Sequence, residues 1–302
     1  MTLPNFFIIG AAKSGTSSLY MYLKQHPEIY MSPVKEPHYF SFDDETKLTK
    51  GPGDPINKAI TDFNQYQALF DKVSCEKAIG EASTSYLYRP EAPIRIHALL
   101  PEAKLIAVLR NPIERAFSAY MHVVRDRRET SENFLDALSR EEERKAAGWE
   151  PIWHFSSVGL YAEQLSRYFA LFPKDQLQIY LYEELQENQT ALVRKVFQFL
   201  EVDDSFIPES SMRYNVTGEQ KSKIYHSITD WLFTQPNPIR WFSRKVLPDI
   251  WRGNVASWMR QRNLKKHQIP QTERNILVEY FRKEIKELQS LINKDLSHWM
   301  ET

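Results

Sequence analysis

The first twenty-five residues constrain the fold most, because an apolar strand runs directly into a tight glycine turn and an amphipathic helix. Residues 6–9 read FFII, residues 10–17 read GAAKSGTS, and apolar residues recur at helical spacing from Leu19 onward. Glycines let the backbone turn its N–H groups inward, and a helix N-terminus adds positive potential. The segment therefore predicts a phosphate-holding loop between Ile9 and Ser17.

Short apolar runs bounded by turn residues alternate with helical patterns through the rest of the chain. Buried strands are predicted at Phe6–Ile9, Lys77–Gly80, Leu105–Leu109 and Leu177–Leu181. Helices are predicted at Ser17–Gln25, Ala92–Leu99, Ile113–Arg125, Tyr161–Phe169, Glu187–Leu200 and Gln271–Leu291. This alternation is typical of an α/β fold with a central parallel sheet flanked by helices.

Composition limits the partners and the compartment. Lysine plus arginine equals aspartate plus glutamate at 39 each, so no global field draws the molecule to nucleic acid or to a membrane. Cys75 is the only cysteine, which fits a reducing compartment and predicts a small buried side chain. The N-terminus lacks the pattern of a signal peptide, and no apolar run is long enough to span a bilayer. A cytoplasmic location is expected.

The chain is predicted to be a single domain over residues 1–302, with two segments of different texture. Residues 41–60 are polar and rich in glycine and proline, which indicates a surface loop. Residues 236–270 combine prolines with tryptophans and many basic side chains. That segment is either a lid or acceptor-side insertion, with peripheral membrane contact possible, or a solvated basic face whose aromatic residues pack on the core.

Two features distinguish this chain from magnesium-dependent enzymes that bind nucleoside triphosphates. The two glycines fall in the P-loop register, but Thr16 stands where the lysine is expected and the lysine lies inside the loop as Lys13. At the end of strand Leu105–Leu109, where a carboxylate would help to hold Mg²⁺, the sequence has Arg110.

Arg110 suits a second phosphate on the same nucleotide, because its planar fork binds phosphate oxygens in pairs. Asn111 is predicted to cap the next helix, with Pro112 at its first position. On that helix Ser118 is expected near the phosphate that Arg110 would bind. It shares one helix face with Arg115, His122 and Arg125. Two phosphate sites imply a nucleotide phosphorylated at both ends.

Taken together, these motifs resemble the PAPS-dependent sulfotransferase family, in its heparan-sulfate-type and bacterial branch. The resemblance extends through Lys35–Phe40, Gly80–Ser83, Gly159–Tyr161, Asn215–Gly218 and Asp295–Trp299. It implies a P-loop-NTPase-like sulfotransferase fold, PAPS as the donor with PAP as the product, and no required metal. It also implies that the nucleotide is held by Lys13, Ser14, Gly15, Thr16, Ser17, Ser18, Arg110, Ser118, Asn215 and Lys221.

The resemblance further implies a role for each of four catalytic candidates. Glu36 is the general base for the acceptor hydroxyl, with a simple salt bridge to Lys35 as its rival role. Lys13 neutralises the bridging oxygen of the leaving phosphate. His38 assists Glu36, acts as base itself, or makes only a structural hydrogen bond. Lys35 contacts the transferred sulfonate or is merely an exposed charge.

The resulting hypothesis is in-line transfer of a sulfuryl group from PAPS to a hydroxyl on a sugar, a lipid-like alcohol or a carrier-bound alcohol. Residues 41–60, 125–155 and 241–258 are expected to set the choice of acceptor. A non-catalytic sensor of PAP or PAPS is one alternative, and a kinase that uses a magnesium–nucleotide complex is another. The oligomeric state stays open.

Overall fold

The computed structural model describes residues 2–42, 51, 59–209, 219–220, 264–265 and 268–301. Within these ranges, five strands form one parallel sheet in the order β2-β3-β1-β4-β5. The strands are β1 (Phe6–Gly10), β2 (Ile29–Met31), β3 (Ala78–Ala82), β4 (Lys104–Leu109) and β5 (Leu177–Leu181). A two-residue antiparallel pair joins β6 (Glu219–Gln220) to β7 (Leu264–Lys265).

Helices cover the sheet and connect its strands. They are α1 (Thr16–Leu23), α2 (Phe63–Ala68), α3 (Ser85–Tyr88), α4 (Glu91–Leu99), α5 (Pro112–Arg125), α6 (Phe134–Ser139), α7 (Glu141–Ala146), α8 (Tyr161–Phe169), α9 (Tyr182–Glu187), α10 (Gln189–Phe199) and α11 (Gln271–Ile292). Short 3₁₀ turns lie at Pro151–Trp153, Ser157–Gly159, Lys174–Gln176 and Ser297–Met300. No helix in the described ranges is long and apolar enough to cross a membrane.

Strand β1 lies in the middle of the sheet and is buried on both faces. Phe7 and Ile9 belong to one apolar cluster, and Phe6 and Ile8 belong to another on the opposite face. A continuous apolar run suits such a strand, because helices shield both of its sides from water. Its neighbour β3 approaches closely: a Cβ on Gly80 would lie 2.2 Å from the Phe6 ring.

The predicted α/β fold is confirmed. The structure differs from the sequence prediction in the bounds of some elements and in the exposure of Cys75. The helix predicted at Glu187–Leu200 begins at Gln189, because the Asn188 side chain accepts a hydrogen bond from the Ala191 amide and caps a new helix. Cys75 was expected to be buried and is exposed instead. The predicted strand Lys77–Gly80 continues to Ala82 and so takes a glutamate into the sheet.

That glutamate, Glu81, is fully buried and held by three hydroxyl groups. Tyr66 and Tyr86 donate to Oε1 at 2.9 and 2.6 Å, and Ser83 donates to Oε2 at 2.9 Å. Burial raises the pKa of Glu81 to about 7, although the three hydrogen bonds pull the pKa down. A charged residue fits this strand because its polar atoms are satisfied inside the core.

Glu81 therefore predicts a pH-dependent stability. Its folded pKa of about 7 exceeds the unfolded value of 4.5, so the native state holds a proton that the unfolded state has lost. Its stabilising contribution is complete below the unfolded pKa and is lost as pH rises through about 7, by roughly 3 kcal/mol at 1.4 kcal/mol per pKa unit. Urea unfolding at about pH 5 and about pH 8 measures the loss. Glu81→Gln cannot titrate and should lose less; equal losses in both proteins would contradict the assignment.

Candidate active site

The loop between β1 and α1 is shaped for an anion. Lys13 and Gly15 adopt left-handed φ angles of 68° and 88°, and Gly15 is the N-cap of α1. A side chain on Gly15 would lie 2.9 Å from Leu185 and 3.0 Å from Tyr182, so both conformation and space favour glycine. No described group accepts a hydrogen bond from the amides of Gly15, Thr16 and Ser17. These donors at a helix N-terminus are available to phosphate oxygens.

Two other loop residues have less to offer a ligand through the backbone. The Ser14 amide donates to the Ala11 carbonyl at 3.3 Å, and the Ser14 side chain is fully buried. The Ser18 amide donates to the Gly15 carbonyl at 3.0 Å, which leaves only the hydroxyl of Ser18 for a ligand. Their assignment to the nucleotide stays a prediction.

Arg110 joins the end of β4 to the phosphate loop. Its Nη1 donates to the Lys13 carbonyl at 3.3 Å, its Nη2 lies 3.7 Å from Glu114 Oε2, and its guanidinium lies 4.9 Å from the centre of the Tyr182 ring. The Tyr161 hydroxyl donates to the Arg110 carbonyl at 3.0 Å. The residue predicted to bind a second phosphate therefore lies beside the phosphate loop.

Helix α5 begins as predicted and carries both half-buried and buried polar residues. The Asn111 side chain accepts a hydrogen bond from the Ile113 amide, and Pro112 occupies the first helical position. Ser118 is buried in the helix that Arg110 precedes. Arg115 shares the predicted polar face, but it is buried and donates to the Phe155 carbonyl. The Arg115 side chain is therefore part of the buried core.

Positive charge is concentrated around Lys13. Burial, followed by the charges of Arg125 and Arg110, lowers the pKa of Lys13 to about 8, against opposing effects of Asp126 and Glu36. Burial and the charges of Lys13 and Arg125 lower the pKa of His122 to about 3, so His122 is neutral. An anion bound here would relieve this repulsion.

The segment that contains Glu36 is fixed by strand β3 and the turn that follows it. Glu36 and His38 have φ angles of 61° and 59°. The Glu36 amide donates to the Ala82 carbonyl at 2.8 Å, and the His38 amide donates to Ser83 Oγ at 3.1 Å. Because Ser83 in turn donates to Glu81, the left-handed conformations are supported from the core.

The Glu36 carboxylate contacts both neighbouring candidates. Lys35 Nζ donates to one of its oxygens, and His38 Nε2 lies 3.5 Å from the other. Burial alone would raise the pKa of Glu36, but Lys35, His38 and a hydrogen bond from Thr84 outweigh it and leave the pKa lowered. The salt bridge to Lys35 is therefore present, and His38 Nδ1 also lies 2.7 Å from Ser85 Oγ.

A cavity of about 330 Å³ lies beside the Glu36 segment and reaches the phosphate loop at Ala12. It is lined by Ala12, Lys35, Glu36, His38, Ala59, Thr84, Ser85, Tyr88, Glu150, Pro151, Ile152 and Val158. Two of the segments expected to set acceptor choice, residues 41–60 and 125–155, contribute to the lining. Asn215 and Lys221 lie outside the described residues, as does most of residues 236–270.

Sequence reasoning assigned no role to Glu81, which supports the Glu36 segment through Ser83. The signal was available, because a carboxylate directly after a predicted buried strand needs internal partners. The hydroxyls of Tyr66 and Tyr86 that satisfy it come from α2 and α3. Neither short helix was predicted.

A family model described as the sulfotransferase domain matches residues 3–289. The chain is 31% identical over 244 residues to mouse carbohydrate sulfotransferase 15, covering 66% of this chain and 44% of the mouse protein. It is 30% identical over 198 residues to mouse heparan sulfate glucosamine 3-O-sulfotransferase 3B1, covering 66% and 46%. The chain thus spans less than half the length of these curated relatives.

Among solved structures, a sulfotransferase from Alicyclobacillus acidocaldarius matches over 100% of both chains, with a TM-score of 0.78 and 36% sequence identity. A sulfotransferase domain from the curacin biosynthetic pathway matches 98% of this chain and 100% of that domain, with a TM-score of 0.50 and 15% identity, and supports the fold alone. The parallel sheet with its phosphate loop is therefore the P-loop-like sulfotransferase fold that the sequence predicted. The chain belongs to the sulfotransferase family.

Proposed function

We propose that this chain transfers a sulfuryl group from PAPS to the hydroxyl of an acceptor and releases PAP. The observation that carries the proposal is that the phosphate loop and a carboxylate meet at one cavity. Ala12 of the loop and Glu36 both line it, and the charge of Glu36 acts on Lys13. Sulfuryl transfer needs a base and a leaving-group cation in this proximity.

In the proposed reaction, the acceptor oxygen forms a bond to sulfur while the bond from sulfur to the bridging oxygen of PAPS breaks. The acceptor proton passes to Glu36, and the bridging oxygen keeps the electron pair. Lys13 neutralises the charge that develops there. The amides of Gly15, Thr16 and Ser17 bind the 5′-phosphate, and Arg110 with Ser118 binds the 3′-phosphate. Asn215 and Lys221 stay predicted contacts.

We expect Glu36→Gln to reduce kcat by about 10²- to 10⁴-fold, because the amide cannot accept the acceptor proton. The measurement is the transfer of labelled sulfate from PAPS to the acceptor. PAP binding should persist in the variant. Glu163→Gln is the matched control, since the side chain of Glu163 on α8 is 77% exposed. Unchanged turnover in Glu36→Gln would remove Glu36 as the base. PAP binding by the wild type without turnover of any acceptor would favour the sensor alternative.

The pH dependence of kcat/KM for PAPS tests Lys13. Its pKa of about 8 means that the ammonium loses its charge as pH rises through that value in the ligand-free protein. We expect kcat/KM, which reports ionisation of the free enzyme, to fall above about pH 8. Lys13→Arg stays charged and should lack this fall, whatever its absolute rate. The same alkaline fall in Lys13→Arg would assign the titration to another group.

Thermal stability with added nucleotides tests the donor site. A ligand that binds the native state raises its apparent stability, so PAP should raise Tm without Mg²⁺. We expect Arg110→Ala to weaken PAP binding by about 10- to 100-fold, since a hydrogen bond to a charged group contributes about 1.5–3 kcal/mol. Arg282→Ala, which removes a guanidinium paired with Glu279 on α11, should bind PAP normally.

A different outcome of the same measurement would support the kinase alternative. Stabilisation by ATP only in the presence of Mg²⁺, with no effect of PAP, would contradict the proposed donor.

A further inference from the structure

The wall of the cavity beside the phosphate loop contains both polar and apolar residues. Glu36 and His38 face it from one segment, whereas its apolar lining comes from Ala12, Ala59, Tyr88, Pro151, Ile152 and Val158. Its volume of about 330 Å³ is at the low end of the roughly 300–1,000 Å³ typical of small-molecule sites. The space therefore suits a compact molecule with one reactive polar group.

Most polar groups of the described lining are already paired within the protein. Tyr88 shares a hydrogen bond of 2.9 Å with His154 Nδ1, so its ring remains the main surface that it offers to a ligand. Ser85 Oγ lies 2.7 Å from His38 Nδ1 and 2.6 Å from Ser41 Oγ. A ligand with many hydroxyls would bury donors and acceptors without gaining matching partners here.

The charges of the described lining are balanced as well. Lys35 is paired with Glu36. Glu150 is paired with Arg128 at 2.8 Å, and both of these side chains are 9% exposed. Arg128 also lies 5.4 Å from the centre of the Trp153 ring, which holds it in place. An anionic group entering the cavity would meet carboxylates together with cations that already have partners.

We propose that the acceptor is an uncharged alcohol with a compact apolar body. Its hydroxyl lies at Glu36, and its body packs against Ile152 and Val158. This inference rests on the proposed sulfuryl transfer and selects one class among the hydroxyl acceptors that the transfer allows. The reaction is unchanged: the alcohol oxygen gains the sulfuryl group, and its proton passes to Glu36.

Three acceptors of increasing polarity and charge test the proposal. A tert-butyl-substituted cyclohexanol supplies one hydroxyl on an apolar ring, methyl glucoside supplies an uncharged ring with several hydroxyls, and a sulfated disaccharide supplies negative charge. We expect kcat/KM for the cyclohexanol to exceed that for either sugar by roughly tenfold or more, because the sugars leave polar groups without partners. Transfer of labelled sulfate from PAPS to each compound is the measurement.

Variants of the cavity wall separate packing from catalysis. Ile152→Asn should lower kcat/KM for the cyclohexanol by roughly tenfold, because it replaces apolar contact with an amide. Ile94→Asn is the matched control, since Ile94 on α4 is 62% exposed and does not line the cavity. Val158→Thr, which keeps the shape of the side chain, serves as a second wall variant if Ile152→Asn unfolds at the assay temperature.

The outcomes distinguish this inference from the proposed function. A sugar that is used as well as the cyclohexanol, or better, would overturn the acceptor class while leaving sulfuryl transfer in place. Failure of every uncharged alcohol to react, with the PAP-induced rise in Tm intact, would overturn the acceptor class too. Failure of PAP to bind would overturn the proposed function itself.

Discussion

The common direction of five strands is the constraint on which the site depends. Because the strands are parallel, their carboxyl ends meet at one edge of the sheet. Strand β1 ends in the phosphate loop, β4 ends before Arg110, and the segments after β2 and β3 carry residues 35–38 and 83–85. Ala12, Glu36 and Ser85, from three of these segments, thereby line one cavity, and Arg110 lies beside the phosphate loop.

The second constraint is electrostatic. The loop places amides for which the described residues offer no acceptor at the start of α1, and Arg110 and Arg125 add charge around Lys13. The burial and repulsion that lower the pKa of Lys13 are the cost of a site built in advance for anions. His122 adds no charge, because the same surroundings keep it neutral. The phosphorylated donor proposed above would bring negative charge into these surroundings.

Hydrogen bonds from the core hold both the Glu36 segment and helix α5 in place. On one side, Glu81 binds Ser83, which receives the His38 amide and so supports the left-handed turn at Glu36. On the other side, the Asn111 side chain that caps α5 also donates to the Trp299 carbonyl at 3.0 Å. The chain's last described turn thus steadies the helix of Ser118, far away in sequence.

Four of the five strands of the sheet, the glycine loop after β1 and the family could be predicted from the sequence, since apolar runs, paired glycines and the residues around Arg110 are local patterns. It also indicated Glu36 and the cap at Asn111. The burial of Arg115 against the Phe155 carbonyl and of Glu81 among hydroxyl groups of α2 and α3 became visible only in the folded chain. Each of these depends on partners from distant elements, and hydrogen bonds and desolvation act between neighbours in space, which no local pattern records.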